Sequence, residues 1–149
     1  MSEDRSNLKK KILSVVVSVY NEEQALEECY TEMKRVLDTL SWDHELIFVN
    51  DGSTDASMNI LEVIAQQNKN VRVISFSRIW PRGCMIAGID HAAGDVIICM
   101  DADLQHPLEC IAPIMAKFEE GYEVISMVRT SNKSAGAIKN FTSRAFYRV

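Results

Sequence analysis

The sequence is short of several things that would declare a function at once. No two of its four cysteines, Cys29, Cys84, Cys99 and Cys110, stand as C-x-x-C, and three lie inside apolar runs. That argues for free thiols in a reducing cytoplasm and against a zinc site or a disulfide framework. Three prolines and six glycines exclude collagen-like and low-complexity chains. No apolar run approaches the ~20 residues that a membrane span needs. The basic-then-apolar start closes on Asn21-Glu22-Glu23 without a small-residue cleavage site, so no signal peptide is expected and the chain reads as soluble. There is no excess of positive charge either: the net charge is −5, which argues against a nucleic-acid binder. Neither G-x-G-x-x-G nor G-x-x-x-x-G-K-[ST] occurs, so any nucleotide is held by another device.

What is present is ordinary globular material, 47% hydrophobic and 25% charged over 149 residues, enough for one domain. Charge is unevenly placed. Up to Glu123 there are 11 bases against 21 acids, a net of −10; beyond it stand Arg129, Lys133, Lys139, Arg144 and Arg148 with no acid. A solvated helix face or a disordered end accounts for such a tail as readily as a functional surface does.

The pattern alternates. Residues 12–19 form a nearly continuous β-branched run, the mark of a strand buried on both faces. Residues 24–40 carry Leu26, Tyr30, Met33 and Leu37 at helical spacing. Further strands are predicted at 45–49, 71–76, 96–100 and 122–128, and helices at 58–67, 82–92, 107–120 and 140–149. Pro81 suits a helical first turn, and Gly121 a stop. The expected fold is α/β: an open, mainly parallel sheet with helices on both faces. The chain ends in mid-pattern on Phe146-Tyr147-Arg148-Val149, so the single domain 1–149 is expected to be cut short.

Ligands of open α/β sheets bind beyond the carboxyl ends of the strands. Three such ends are polar here: Tyr20-Asn21-Glu22, then residues 50–55 (Asn-Asp-Gly-Ser-Thr-Asp), then residues 101–106 (Asp-Ala-Asp-Leu-Gln-His). In extended chain Asp101 and Asp103 point to one side and can share a hard divalent cation with phosphate oxygens; Gln105 continues that phase with an amide oxygen. The same aspartates could instead cap a helix beginning near Pro107. Thr54 and Asp55 suit a turn and an N-cap, whereas Asp51 directly follows its strand and can accept from a base N–H or a sugar hydroxyl. His44, His91 and His106 share no metal-like spacing, and only His106 adjoins a candidate loop. Ser53 and Ser57 have no histidine nearby, so no nucleophile triad is supported. Trp42 and Trp80 read as packing residues.

Together these loops resemble glycosyltransferase family 2, with its GT-A, Rossmann-like nucleotide-binding half. Residues 17–23, 49–55 and 100–107 carry the resemblance, with residues 87–92 and Gly94-Asp95 in support. The Asp-Ala-Asp-Leu-Gln-His-Pro form resembles the branch that glycosylates polyprenyl phosphates, the dolichyl-phosphate mannose synthase-like enzymes. The resemblance implies a metal-dependent inverting glycosyltransferase of the cell envelope, using a nucleotide-sugar donor, UDP ranked ahead of GDP. Tyr20, Glu22 and Asp51, with Asp101 and Ala102, would bind the nucleotide. Asp101, Asp103 and Gln105 would hold Mg²⁺ or Mn²⁺. Asp103 and Arg129 would be catalytic, and Arg129 and Arg144 would meet the acceptor phosphate, for which arginine's planar fork is suited. Such an enzyme would work in the cytoplasm at the face of a membrane; a homo-oligomer stays open.

The sequence departs from the family at Ser18 and Leu108, where proline is usual, and at residues 79–83, Ile-Trp-Pro-Arg-Gly, where asparagine–aromatic–glycine is usual. The altered loop and early end suggest a non-catalytic or degenerate nucleotide-sugar-binding module as the alternative, and the chain alone is expected to turn over poorly. A sugar nucleotidyltransferase ranks last, because the loop after the first strand has no glycine.

Overall fold

The protein is described here by a computed structural model covering residues 10–77, 83–103, 105 and 107–127. Trp80, Pro81, His106, Arg129, Arg144, the 79–82 loop and the helix expected at 140–149 lie outside the described residues.

The elements run β1 (Ile12–Val19), α1 (Leu26–Leu37), β2 (Asp43–Asn50), α2 (Ser57–Gln67), β3 (Val71–Ser75), α3 (Gly83–Asp90), β4 (Val96–Asp101) and α4 (Ile111–Glu119). All strand pairings are parallel, in the order β3-β2-β1-β4. The chain therefore moves outward from β1 through β2 to β3, then returns through α3 to place β4 on the other side of β1. The reversal puts a topological switch point between the carboxyl ends of β1 and β4.

Packing follows the pleat. Leu13, Val15, Val17 and Val19 of β1, with Leu46 and Phe48 of β2, enter the larger core beneath α1, α2 and α4. Val16, Ile47 and Val49 face the opposite side, against Met85 of α3. α1 buries Leu26, Cys29, Met33 and Leu37. Tyr30 packs partly buried against the same core, and its hydroxyl accepts from Asn68 Nδ2 at 3.2 Å. Trp42 packs edge-on against Phe118, 5.9 Å between centroids, in the packing role expected of it.

Two expectations fail. β4 is apolar in sequence yet buries only alternate residues: Val96, Ile98 and Met100 are buried while Ile97, Cys99 and Asp101 are exposed. The reason is its position, because α3 packs chiefly on β1 and β2. Residues 122–127 form no strand, so among the described residues the sheet has four strands and not five. α4 stops as expected: Gly121, at φ +97°, follows its last turn, and the Gly121 and Tyr122 N–H groups return to the carbonyls of Phe118 and Lys117.

The amino edge is held by a polar cluster around Glu45. Its carboxylate accepts from Ser14 Oγ (2.5 Å), Ala93 N (2.8 Å) and Arg72 Nη2 (2.6 Å). Burial opposes ionisation of Glu45, but these donors outweigh it and hold the carboxyl below its ordinary value near 4.5. A depressed folded pKa gives stability that is present above the unfolded value and lost as pH falls through the folded one. Glu45→Gln is therefore expected to cost about 1–3 kcal/mol at pH 7. The deficit should shrink below about pH 4, as urea unfolding at both pH values will measure.

Candidate active site

Three loops meet along the carboxyl edge, at β2, β1 and β4 in spatial order. Register places Val19 beside Asn50 and Ser18 beside Asp101, so the three polar ends are level with one another. Tyr20 is exposed, Glu22 and Asp51 are half-buried, and Asp51 N–H donates to Val19 O at 2.9 Å. These three lie on the β2–β1 side.

The Asp101–Asp103 pair lies on the β4 side, at the switch point. Ala102 between them is 1% exposed and belongs to the core, while Asp101 is exposed and Asp103 partly so; Asp103 stands in a turn and not in extended chain, so strand alternation does not set its direction. Asp101 accepts from the Ser18 hydroxyl, a donor that the proline usual at this position would lack. Ala102 N–H donates to Ser18 O at 3.1 Å, so Ala102 has only its carbonyl to offer a nucleotide. The extended phase expected to run on to Gln105 is interrupted: the chain turns at residues 102–103, and Asp103 Oδ1 accepts Gln105 N–H at 3.0 Å, closing a local turn. Neither aspartate caps the following helical segment, which opens with a 3₁₀ turn at Leu108–Cys110 preceded by Pro107, with no side-chain cap.

Cys29 is fully buried on α1, and its thiol is pushed up to about 12, first by burial and then by the charges of Asp103 and Glu22. A thiol so raised stays protonated at neutral pH and is no nucleophile. The described histidines are elsewhere: His44 is the second residue of β2, at the amino edge, and exposed His91 follows α3, with its carbonyl bonded to Arg72.

The residues present suit a hard divalent cation. The pair offers carboxylate oxygens on an open edge, and among the described residues no group of three or more His, Cys, Asp or Glu could hold a metal alone. A cation here would need oxygens from its ligand, as Mg²⁺ and Mn²⁺ bound with substrate phosphates do.

Sequence reasoning missed the side chains that join the β1–α1 and β2–α2 loops. Asn21, in left-handed conformation at φ 55°, gives its N–H to Ser53 Oγ (3.0 Å) and accepts Thr54 N–H at Oδ1 (2.8 Å). Glu22 N–H reaches Ser57 Oγ (2.9 Å), Glu23 N–H reaches Asp55 Oδ2 (3.1 Å), and the Glu23 carboxylate accepts Ala56 N–H (2.8 Å). Asp55 also accepts Ser57 N–H at 3.0 Å, so the turn expected there exists, although the N-cap position of α2 is Ala56. The available signal was a density of Asn, Ser, Asp and Glu at two successive strand ends, more than a pair of simple turns requires.

The parallel order and the reversal at β1 define an open α/β sheet with a switch point at its carboxyl edge, and comparison with known proteins shows its family. Residues 14–148 match Glycosyl transferase family 2. The chain belongs to that family, a family of glycosyltransferases. It is 44% identical over 137 residues to an uncharacterized glycosyltransferase, YkcC, of Bacillus subtilis, covering 91% of this chain and 42% of that protein. It is 33% identical over 138 residues to the bactoprenol glucosyl transferase of Shigella phage SfV, covering 92% and 45%. The chain thus spans less than half the length of these relatives. Its fold is similar to that of the mannosyltransferase PcManGT from Pyrobaculum calidifontis, solved with GDP-Man and Mn²⁺: TM-score 0.55 and 20% identity, over 64% of this chain and 28% of that one.

Proposed function

We propose that this chain is a single nucleotide-sugar-binding domain of a metal-dependent, inverting glycosyltransferase whose acceptor is a polyprenyl phosphate. The observation that carries this reading is the meeting of Tyr20, Glu22 and Asp51 with the Asp101–Asp103 pair along one sheet edge. Tyr20, Glu22 and Asp51 hold the nucleoside, and Asp101 and Asp103 hold Mg²⁺ or Mn²⁺ against the donor diphosphate. That cation, when bound, supplies Lewis-acid neutralisation of the leaving group. Support for a metal and a nucleotide sugar comes from the solved mannosyltransferase of similar fold, and support for the acceptor from the bactoprenol glucosyl transferase relative.

In the proposed reaction an acceptor phosphate oxygen forms a bond to the anomeric carbon. The bond from that carbon to the diphosphate breaks, and the nucleoside diphosphate leaves with the electron pair. One displacement inverts the carbon. The attacking oxygen is already anionic, so no general base is required, which agrees with the positions of His44 and His91. Arg129 and Arg144 are assigned from sequence to the acceptor phosphate, and the basic residues after Glu123 to the cytoplasmic face of a membrane. Among the described residues no helix is long and apolar enough to cross one.

Calorimetry with UDP and GDP, each with and without Mn²⁺, tests the reading. The expected result is binding of one nucleotide that depends on the metal. The reading fails if neither nucleotide binds in the presence of Mn²⁺ or Mg²⁺.

A further inference from the structure

Six hydrogen bonds join the β1–α1 and β2–α2 loops, five of them from backbone N–H groups and one from the Thr54 hydroxyl to Asn21 Oδ1, and they form a reciprocal clasp. Three successive backbone N–H groups, of Asn21, Glu22 and Glu23, donate to the side chains of Ser53, Ser57 and Asp55. In return, the Asn21 and Glu23 side chains accept the N–H groups of Thr54 and Ala56. Every bond joins residues more than 30 positions apart in sequence, and none belongs to the sheet ladder. Asn50 ties the base of the same loop, its Oδ1 accepting Ser53 N–H at 3.1 Å and its Nδ2 donating to Ser75 Oγ at 3.2 Å.

Tertiary packing alone does not explain this arrangement. The sheet registers β1 and β2 only as far as Val19 and Asn50. Beyond that point the loops at 20–24 and 51–56 are exposed or half-buried, with no fully buried side chain. Tyr20 and Glu22 lie on one side of the clasp and Asp51 on the other. The side-chain acceptors are matched to backbone donors that would otherwise face water, and the left-handed turn at Asn21 is held by bonds from both ends of that residue.

Resting on the nucleotide-site reading above, we propose that Asn21, Glu23, Asp55 and Ser57 are positioning residues, which lock the two loops at one separation so that Tyr20, Glu22 and Asp51 form a single preorganised nucleoside cleft. They act through the residues they hold and do not touch the nucleotide. Ordering loops on binding lowers affinity, so a locked cleft binds more tightly than a loose one with the same contacts.

The test compares Glu23→Ala with Glu23→Gln in the full 149-residue chain. Glutamine keeps an oxygen that can accept Ala56 N–H; alanine does not. Three readouts are taken: UDP and GDP affinity with Mn²⁺ by calorimetry, thermal midpoint, and amide hydrogen exchange. Glu23→Ala is expected to weaken binding of the preferred nucleotide about tenfold and to speed exchange in residues 20–24 and 51–56, with β1 and β2 protection unchanged. Glu23→Gln should restore affinity to within about threefold of the parent. If the parent chain binds a nucleotide and Glu23→Ala binds it equally well, the clasp has no positioning role. Equal loss in both variants, or loss accompanied by faster exchange throughout β1 and β2, likewise overturns it. Failure of the parent itself to bind either nucleotide overturns the underlying site reading, and this inference with it.

Discussion

Asp103→Asn is expected to leave the fold intact and to weaken Mn²⁺-supported nucleotide binding by ~100-fold or more, since changes even in groups behind a metal ligand cost 10–100-fold. The substitution is informative because of the bond that Asp103 makes. Its Oδ1 accepts Gln105 N–H at 3.0 Å, and an asparagine Oδ1 can accept the same bond, so the turn at residues 102–105 survives while the negative charge is removed. Only the second carboxylate of the proposed cation site is lost. A parallel urea titration should give the parent's midpoint, and binding without metal should be unaltered. Unchanged affinity in the presence of Mn²⁺ would remove Asp103 from the site.

Gly94→Ala should produce a large loss of stability. A methyl group at Gly94 would stand 2.6 Å from Ser14 Oγ, 2.7 Å from Ser14 N and 2.8 Å from Ile12 O. Two of these are backbone atoms of β1, and they cannot retreat cheaply. Asp95 N–H donates to Ile12 O at 2.8 Å, and Ile12 N–H donates to the Asp95 carboxylate at 2.9 Å, clamping the approach to β4 onto the start of β1. The same shift would disturb the Gly94 N–H bond to Ser14 Oγ, at 2.9 Å, and through Ser14 the Glu45 cluster. Overpacking of this kind costs about 1–3 kcal/mol and sometimes more; with backbone on the receiving side the upper end is expected. In a chain of this size that lowers the thermal midpoint by roughly 2–4 °C per kcal/mol. Urea unfolding should show a reduced midpoint with an unchanged slope. Gly121→Ala provides the contrast, because nothing lies within 4 Å of the added carbon and only the positive φ opposes it. Equal effects of the two substitutions would contradict the close-approach argument.

The central strands were legible because their burial is local in origin. Between neighbours on both sides and with helices on both faces, β1 is apolar except at Ser14 and Ser18, whose hydroxyls are hydrogen-bonded, and its limits, Ile12–Val19, coincide with the nearly continuous β-branched run. β4 has the same kind of sequence but is not where α3 chiefly packs, a fact of topology that no window of residues encodes. The fifth expected strand was apolar enough to suggest pairing, yet pairing depends on a partner edge that the sequence does not name. In the candidate site, the single-residue arguments placed Asp51, Asp101 and Asp103 at strand ends, and the register brings those ends to one edge, since strand ends and turn residues can be read directly. The clasp could not be read in this way. Asn21, Ser53 and Ser57 are common turn residues, and their roles arise only when two loops 30 residues apart are brought level by the register of β1 and β2. Ser18 was noticeable only as a missing proline; its bond to Asp101 depends on β4 lying beside β1 and not beside β3.

Paramagnetic broadening of backbone amide signals by Mn²⁺ in the presence of the bound nucleotide would test the central claim, that donor and metal meet at the carboxyl edge between β1 and β4. Selective loss of the Tyr20, Asp51, Ala102 and Asp103 signals is expected, with His44, Glu45 and Asp95 at the amino edge unaffected. Broadening centred on the amino edge, or spread evenly over the sheet, would contradict the account.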